Sequence, residues 1–93
     1  MTPWSKDAVP QQNQDIVVRE EDDEIYVCAA DGDTMYTITA VGADIWRAID
    51  GTNTVEDIAE LLLAAYDIDR ETVEKDLRDY LGELVTKNLI HFV

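Results

Sequence analysis

Basic residues are scarce: seven Lys and Arg stand against 21 Asp and Glu in 93 residues, a formal net charge of −14. Affinity for phosphate backbones comes mostly from Lys and Arg, so this balance argues against nucleic acid as a partner. It argues equally against an anionic membrane surface and leaves a basic partner open. The single cysteine, Cys28, rules out an internal disulfide and the usual zinc clusters. Within Ile25-Tyr26-Val27-Cys28-Ala29-Ala30 it reads as a small buried thiol on a strand, with no histidine or cation nearby in sequence to activate it. The one histidine, His91, lies in an apolar run and reads as structural. Ser5 is the only serine, which excludes a serine nucleophile within the folded part and the serine that a carrier protein needs for its prosthetic arm. The four glycines, Gly32, Gly42, Gly51 and Gly82, are scattered and form no phosphate loop. The longest apolar stretch, Leu61 to Tyr66, is too short to span a bilayer, and Met1 to Gln14 has no apolar signal segment, so a cytoplasmic location is expected. The acidic run Glu20 to Glu24 lacks the spaced ligands and central glycine of a calcium loop and reads as a solvated turn. No enzyme motif and no cofactor site emerges.

What is present is a 46% hydrophobic chain, enough for one small core. Residues 1–14 hold both prolines, three glutamines and an asparagine, and read as a flexible arm in which nothing places Trp4 or Val9. Residues 15–93 read as one domain. Ile16 to Glu20, Glu24 to Ala30 and Thr34 to Ile38 are strand-forming, separated by Glu21-Asp22-Asp23 and by the hairpin signal Asp31-Gly32. Three helices follow. Thr39 is placed to cap the first, with the stripe Val41, Ile45, Trp46, Ile49, and Gly51 stops it. Thr54 caps the second, with Asp57 completing a capping box and Val55, Ile58, Ala59, Leu62 and Tyr66 facing the core. Asp69 caps the third, whose stripe is Val73, Leu77, Tyr80, Leu81, Leu84, Val85. Asn88 suits a left-handed cap, and Leu89 to Val93 suits a terminal strand. The fold class is therefore α+β: a winged helix-turn-helix, with a three-stranded antiparallel sheet followed by three helices.

Two features of this layout carry chemistry. The third strand, with Thr34, Met35, Tyr36, Thr37 and Ile38, is placed to lie at a sheet edge, and it has neither the charge nor the proline that blunts most edges. Such an edge accepts a peptide as an added strand, unless an arm or helix covers it. On the third helix, Asp69, Asp76, Tyr80 and Glu83 fall within about 60° of each other at 100° per residue, beside the apolar stripe. A tyrosine among acids at the rim of a core suits a basic or aromatic peptide; the plain alternative is a solvated face with a core tyrosine.

Met35-Tyr36-Thr37-Ile38-Thr39 followed by Gly42-Ala43-Asp44-Ile45-Trp46, then Asp50-Gly51-Thr52-Asn53-Thr54-Val55-Glu56-Asp57-Ile58, resembles the ordered motifs of the PqqD-like family. Tyr66-Asp67-Ile68, Val73, Asp76-Leu77, Leu81, Leu84 and Leu89-Ile90 continue the resemblance, which covers residues 15 to 91. Ile38 and Thr39 stand where the family usually has leucine and asparagine. These proteins are the recognition elements for precursors of ribosomally made, modified peptides.

The resemblance implies a winged helix that binds peptide rather than DNA. It implies that a precursor's leader peptide adds to the third strand and lies against the third helix. Thr34 to Ile38 would supply main-chain bonds, Tyr80, Leu84 and Met35 an apolar pocket, and Asp69, Asp76 and Glu83 a preference for basic side chains. The likeness is greatest to freestanding lasso-peptide leader-binding proteins, which implies a leader peptidase, and with it a cyclase, as partners and no catalysis by the chain itself. A PqqD-type chaperone serving a radical-SAM enzyme, or another peptide class, is the alternative; Val27-Cys28-Ala29-Ala30 lacks the leucine-rich strand ending in proline-glutamate usual there. A winged-helix DNA binder shares the topology, but Arg70 to Lys87 carries four basic against five acidic residues where a recognition helix should be basic.

Overall fold

The computed structural model describes residues 6–92. Its elements are β1 (Pro10–Gln12), β2 (Val17–Glu21), β3 (Glu24–Cys28), β4 (Met35–Ile38), α1 (Ala40–Ala48), α2 (Val55–Ala65), α3 (Arg70–Thr86) and β5 (Ile90–Phe92). Strands β2, β3 and β4 form an antiparallel meander in that order. Its turns are local chemistry: Asp22 and Gly32 take positive φ (55° and 77°), and the Asp31 carboxylate accepts from the Asp33 and Thr34 N–H groups at 2.8 and 3.0 Å.

The α+β winged helix-turn-helix anticipated above is the fold observed. Thr54 and Asp57 form the capping box on α2, and Asp69 caps α3 by accepting from the Thr72 N–H. Gly51 and Asn88 adopt the left-handed conformation that ends a helix. Thr39 occupies the N-cap of α1, but its side chain makes no capping bond. Trp46, Ile49, Ile58, Leu77, Leu81 and Leu89 are almost wholly buried, and the helices close over the inner face of the meander through Ile25, Val27 and Ile38.

Several expectations are corrected. The loose arm gives way, within the described residues, to a strand: β1 pairs antiparallel with β5, with Pro10 opposite Phe92 and Gln12 opposite Ile90. Residues 1–5, including Trp4, lie outside the described residues. Polar Gln12 belongs in this strand because its amide donates to the carbonyls of Trp46 and Ile49, at 3.4 and 3.1 Å. Further back, the carbonyls of Ala8 and Lys6 accept from the N–H groups of Val55 and Glu56, which have no partner within α2. Val41 and Val85 are exposed rather than core. Tyr66 is half-buried and bonds through its hydroxyl to Asp44, and that bond, with burial second, raises its pKa. Cys28 is half-buried, on the outer face of the sheet beside Met35.

Asp31 and Asp50 accept bonds from backbone N–H groups of their own turns, and Asp69 from the Thr72 hydroxyl and then the Thr72 N–H, which holds all three carboxyls below the ordinary carboxylate range. A carboxyl depressed in the folded state contributes stability above its unfolded pKa of about 3.9 and loses it as pH falls through the folded value. A triple Asp→Asn variant keeps the acceptor oxygens but cannot titrate. Its melting temperature should fall less steeply than the wild type's below about pH 4; parallel acid limbs would remove these turns as the cause.

Candidate functional site

Strand β4 pairs with β3 on one side, and no strand lies on its other side among the described residues. The ladder shows which groups are left open. Ala29 N–H donates to the Thr34 carbonyl at 2.8 Å, one pair beyond Cys28↔Met35. Hydrogen-bonded and non-bonded pairs alternate in an antiparallel ladder. Val27↔Tyr36 and Ile25↔Ile38 therefore exchange ladder bonds, and the N–H and C=O groups of Met35 and Thr37 point to the open side. Thr34 is turned the other way, its carbonyl towards Ala29 and its N–H and hydroxyl on the Asp31 carboxylate.

Side chains alternate about this edge. Ile38 and Tyr36 face the helices, buried and half-buried, while Met35, 66% exposed, lies on the outer face. Between β4 and α3 runs a groove of about 460 Å³, lined by Thr37, Ile38, Thr39, Val41, Gly42, Ile45, Ile68, Asp76 and Tyr80. Thus the structure brings Thr37, Ile38, Asp76 and Tyr80 together as expected and supplies a different apolar wall. Val41, Ile45 and Ile68 stand where Met35 and Leu84 were expected. Strand alternation turns Met35 away, and the helical repeat sends Leu84, 3% exposed, into the core. Glu83 lies exposed outside the groove lining. Asp69 is also outside it, its two oxygens accepting from the Thr72 N–H and hydroxyl.

Tyr80 is the centre of the groove. Partial burial, then the charge of Glu83, raises its pKa, so the phenol stays protonated. Its hydroxyl makes no hydrogen bond with any described residue and is a donor left for a ligand. Gly42 on α1 gives it room: a Cβ there would stand 2.8 Å from Tyr80 Oη and 3.3 Å from Ile38 Cγ2. The sequence marks Gly42 only as part of the family motif, because nothing in its neighbours announces a tyrosine arriving from another helix. Tyr36 meets the far end of α3, where Lys87 Nζ sits 4.8 Å from the centre of its ring.

The groove is apolar with one carboxylate and one free phenol, beside an open row of main-chain groups. That arrangement suits an extended peptide, and no nucleophile–base pair lines it among the described residues. No group of three or more His, Cys, Asp or Glu side chains among the described residues is placed to hold a metal ion. Among the described residues no helix is long and apolar enough to cross a membrane. A second depression, of about 550 Å³ near His91, is walled by polar groups. Several of these already bond one another, such as Asn13 with Asn88 and His91.

The family model for coenzyme PQQ synthesis protein D (PqqD) matches residues 24–90. Among solved structures, TbiB1 in complex with the TbiA(beta) leader peptide is similar over 87% of this chain and 94% of its own, with 33% identity and a TM-score of 0.82. The solution structure of the PqqD truncation of Methylobacterium extorquens PqqCD is described as a functional, stand-alone recognition element for ribosomally synthesized and post-translationally modified peptides. It shares the fold, with a TM-score of 0.76 and 24% identity over 97% of this chain and 96% of its own. No curated protein sequence matches. The family match spans β3 through β5 and so takes in the open edge, the groove and all three helices; the chain belongs to the PqqD family.

Proposed function

We propose that this protein binds the leader of a ribosomally synthesised precursor peptide by strand addition to β4, and presents it to the leader peptidase and other maturation enzymes without catalysing any step itself. The observation that carries this is the open row of Met35 and Thr37 main-chain groups beside the β4–α3 groove. The similarity to TbiB1, solved with a leader peptide, supports it. The resemblance of residues 15 to 91 to freestanding lasso-peptide leader-binding proteins, with Trp46 on the first helix, makes a lasso peptide the preferred product class. A leader is disordered before binding and loses conformational entropy on docking. Main-chain bonds, each about 1 kcal/mol net, give affinity with little sequence preference, and side chains entering the groove give selectivity. Binding then raises the leader's effective concentration at the partner enzymes. Thr34, Tyr36, Asp69, Glu83 and Leu84 are left with supporting roles, in the hairpin, the groove end, the helix cap, the flank charge and the core.

The test is amide exchange with the leader of a precursor encoded in the same gene cluster. Exchange at Met35 and Thr37 should slow on binding, while Tyr36 and Ile38, already bonded to β3, should change little. Met35→Pro removes an outward N–H, which an edge strand tolerates, so the domain should stay folded while the leader binds several-fold more weakly. Unchanged exchange at saturating leader, or full affinity in Met35→Pro, would refute strand addition at this edge.

A further inference from the structure

The flank of α3 that carries Asp76 and Tyr80 into the groove continues past Glu83 to the end of the helix. At 100° per residue Lys87 falls within about 20° of Asp76, eleven positions away, so Asp76, Tyr80, Glu83 and Lys87 form one row. The row is polarised. Asp76 lines the groove with Thr39 and Ile38, at the end of β4. Lys87 lies over Tyr36, near the beginning of β4. Strand β4 and helix α3 therefore run in opposite directions along the groove. Arg19, Arg47 and Arg70 are paired with carboxylates, while Lys6, Lys75 and Arg78, which line no part of this row, are not paired among the described residues. Lys87 has no carboxylate within ion-pair distance among the described residues, although Glu83 is one turn away; its ammonium rests on the tyrosine face instead.

A strand that adds antiparallel to β4 begins beside Ile38 and ends beside Met35. Its first residues then face Asp76 and its last face Lys87. We infer that the groove reads leader direction by charge: a Lys or Arg of the leader pairs with Asp76, and an Asp or Glu nearer the leader's C-terminus pairs with Lys87. This rests on the strand-addition reading above. The spacing follows from geometry. Eleven helical residues rise about 16 Å, which an extended chain covers in about five residues. Only alternate residues of the added strand face the groove, so the acid stands four or six residues after the base. A leader entering in the opposite direction would place like charges together at both ends. Lys87 is thus a specificity-determining residue, and its stacking on Tyr36 holds the cation ready at an otherwise acidic surface.

The test uses a displayed library of random twelve-residue peptides, selected on the wild-type protein and on the folded double variant Asp76→Lys, Lys87→Glu. Wild-type binders should carry a base followed, four or six residues later, by an acid, and the double variant should select the inverted order. Synthetic peptides of the two orders should differ about tenfold in affinity on the wild type, the preference reversing on the variant. Binders that slow exchange at Met35 and Thr37 but show no charge order would overturn the inference and leave strand addition standing. So would an order unchanged by the swap, or enrichment in bases at every position, which the overall charge of −14 alone would cause. Failure to obtain any binder that protects those two amides would overturn both.

Discussion

Tyr80→Ala should weaken leader binding by about thirtyfold, the scale of losing a central aromatic anchor at an interface. Its half-buried ring stands in the groove between β4 and α3, so the variant removes apolar area together with a phenol that bonds no described residue. Tyr80→Phe keeps the ring and should cost no more than about tenfold, the worth of one hydrogen bond. Gly42→Ala provides the decisive comparison. An added methyl would crowd Tyr80 Oη at 2.8 Å and Cζ at 3.2 Å and push the ring out of place. Alanine is also favoured over glycine inside a helix by about 1 kcal/mol, so the fold should not weaken. Gly42→Ala should therefore reduce binding in the wild type, and do nothing more in a Tyr80→Ala background. Isothermal titration of the four proteins measures this cycle. Additive losses would show that Gly42 acts other than through Tyr80.

Trp46→Ala should have the largest effect on stability. The indole is 2% exposed at the junction of α1 with the sheet, and truncating a buried aromatic costs about 3–5 kcal/mol. A domain of this length has only about 5–14 kcal/mol in total. The urea midpoint, followed by circular dichroism, should drop by about 2 M. Val41→Ala, on the same helix but 37% exposed in the groove wall, should shift it by less than about 0.5 M. Equal midpoints for the two variants would mean that α1 does not hold the core as described.

Much of this architecture is local and could be read from residues. The meander follows from β-branched runs punctuated by Asp31-Gly32, and the helices from Thr54, Asp57 and Asp69 at their caps, because each signal acts within a few positions. The open edge was legible for the same reason, as three consecutive strands leave the third outermost. What sequence reading missed is non-local. Pro10-Gln11-Gln12 has no strand-forming side chain; it is a strand because β5, some eighty residues on, offers it an edge. Val41 matched a core stripe by period, but period alone cannot say which side of α1 meets the core and which the groove. Leu84 was assigned to the pocket for a similar reason: it is near the right flank, yet it turns inward.

The pairing of β1 with β5 has a topological consequence. Pro10 and Phe92 are opposite one another, about 5 Å apart, and residues 6–9 run on from Pro10 to the start of α2. A strand pair closed in this way ties the first described residues to the last, so that loosening either strand loosens the other. Removing β1 would strip β5 of its partner strand while leaving the β2–β3–β4 meander and its open edge paired as before.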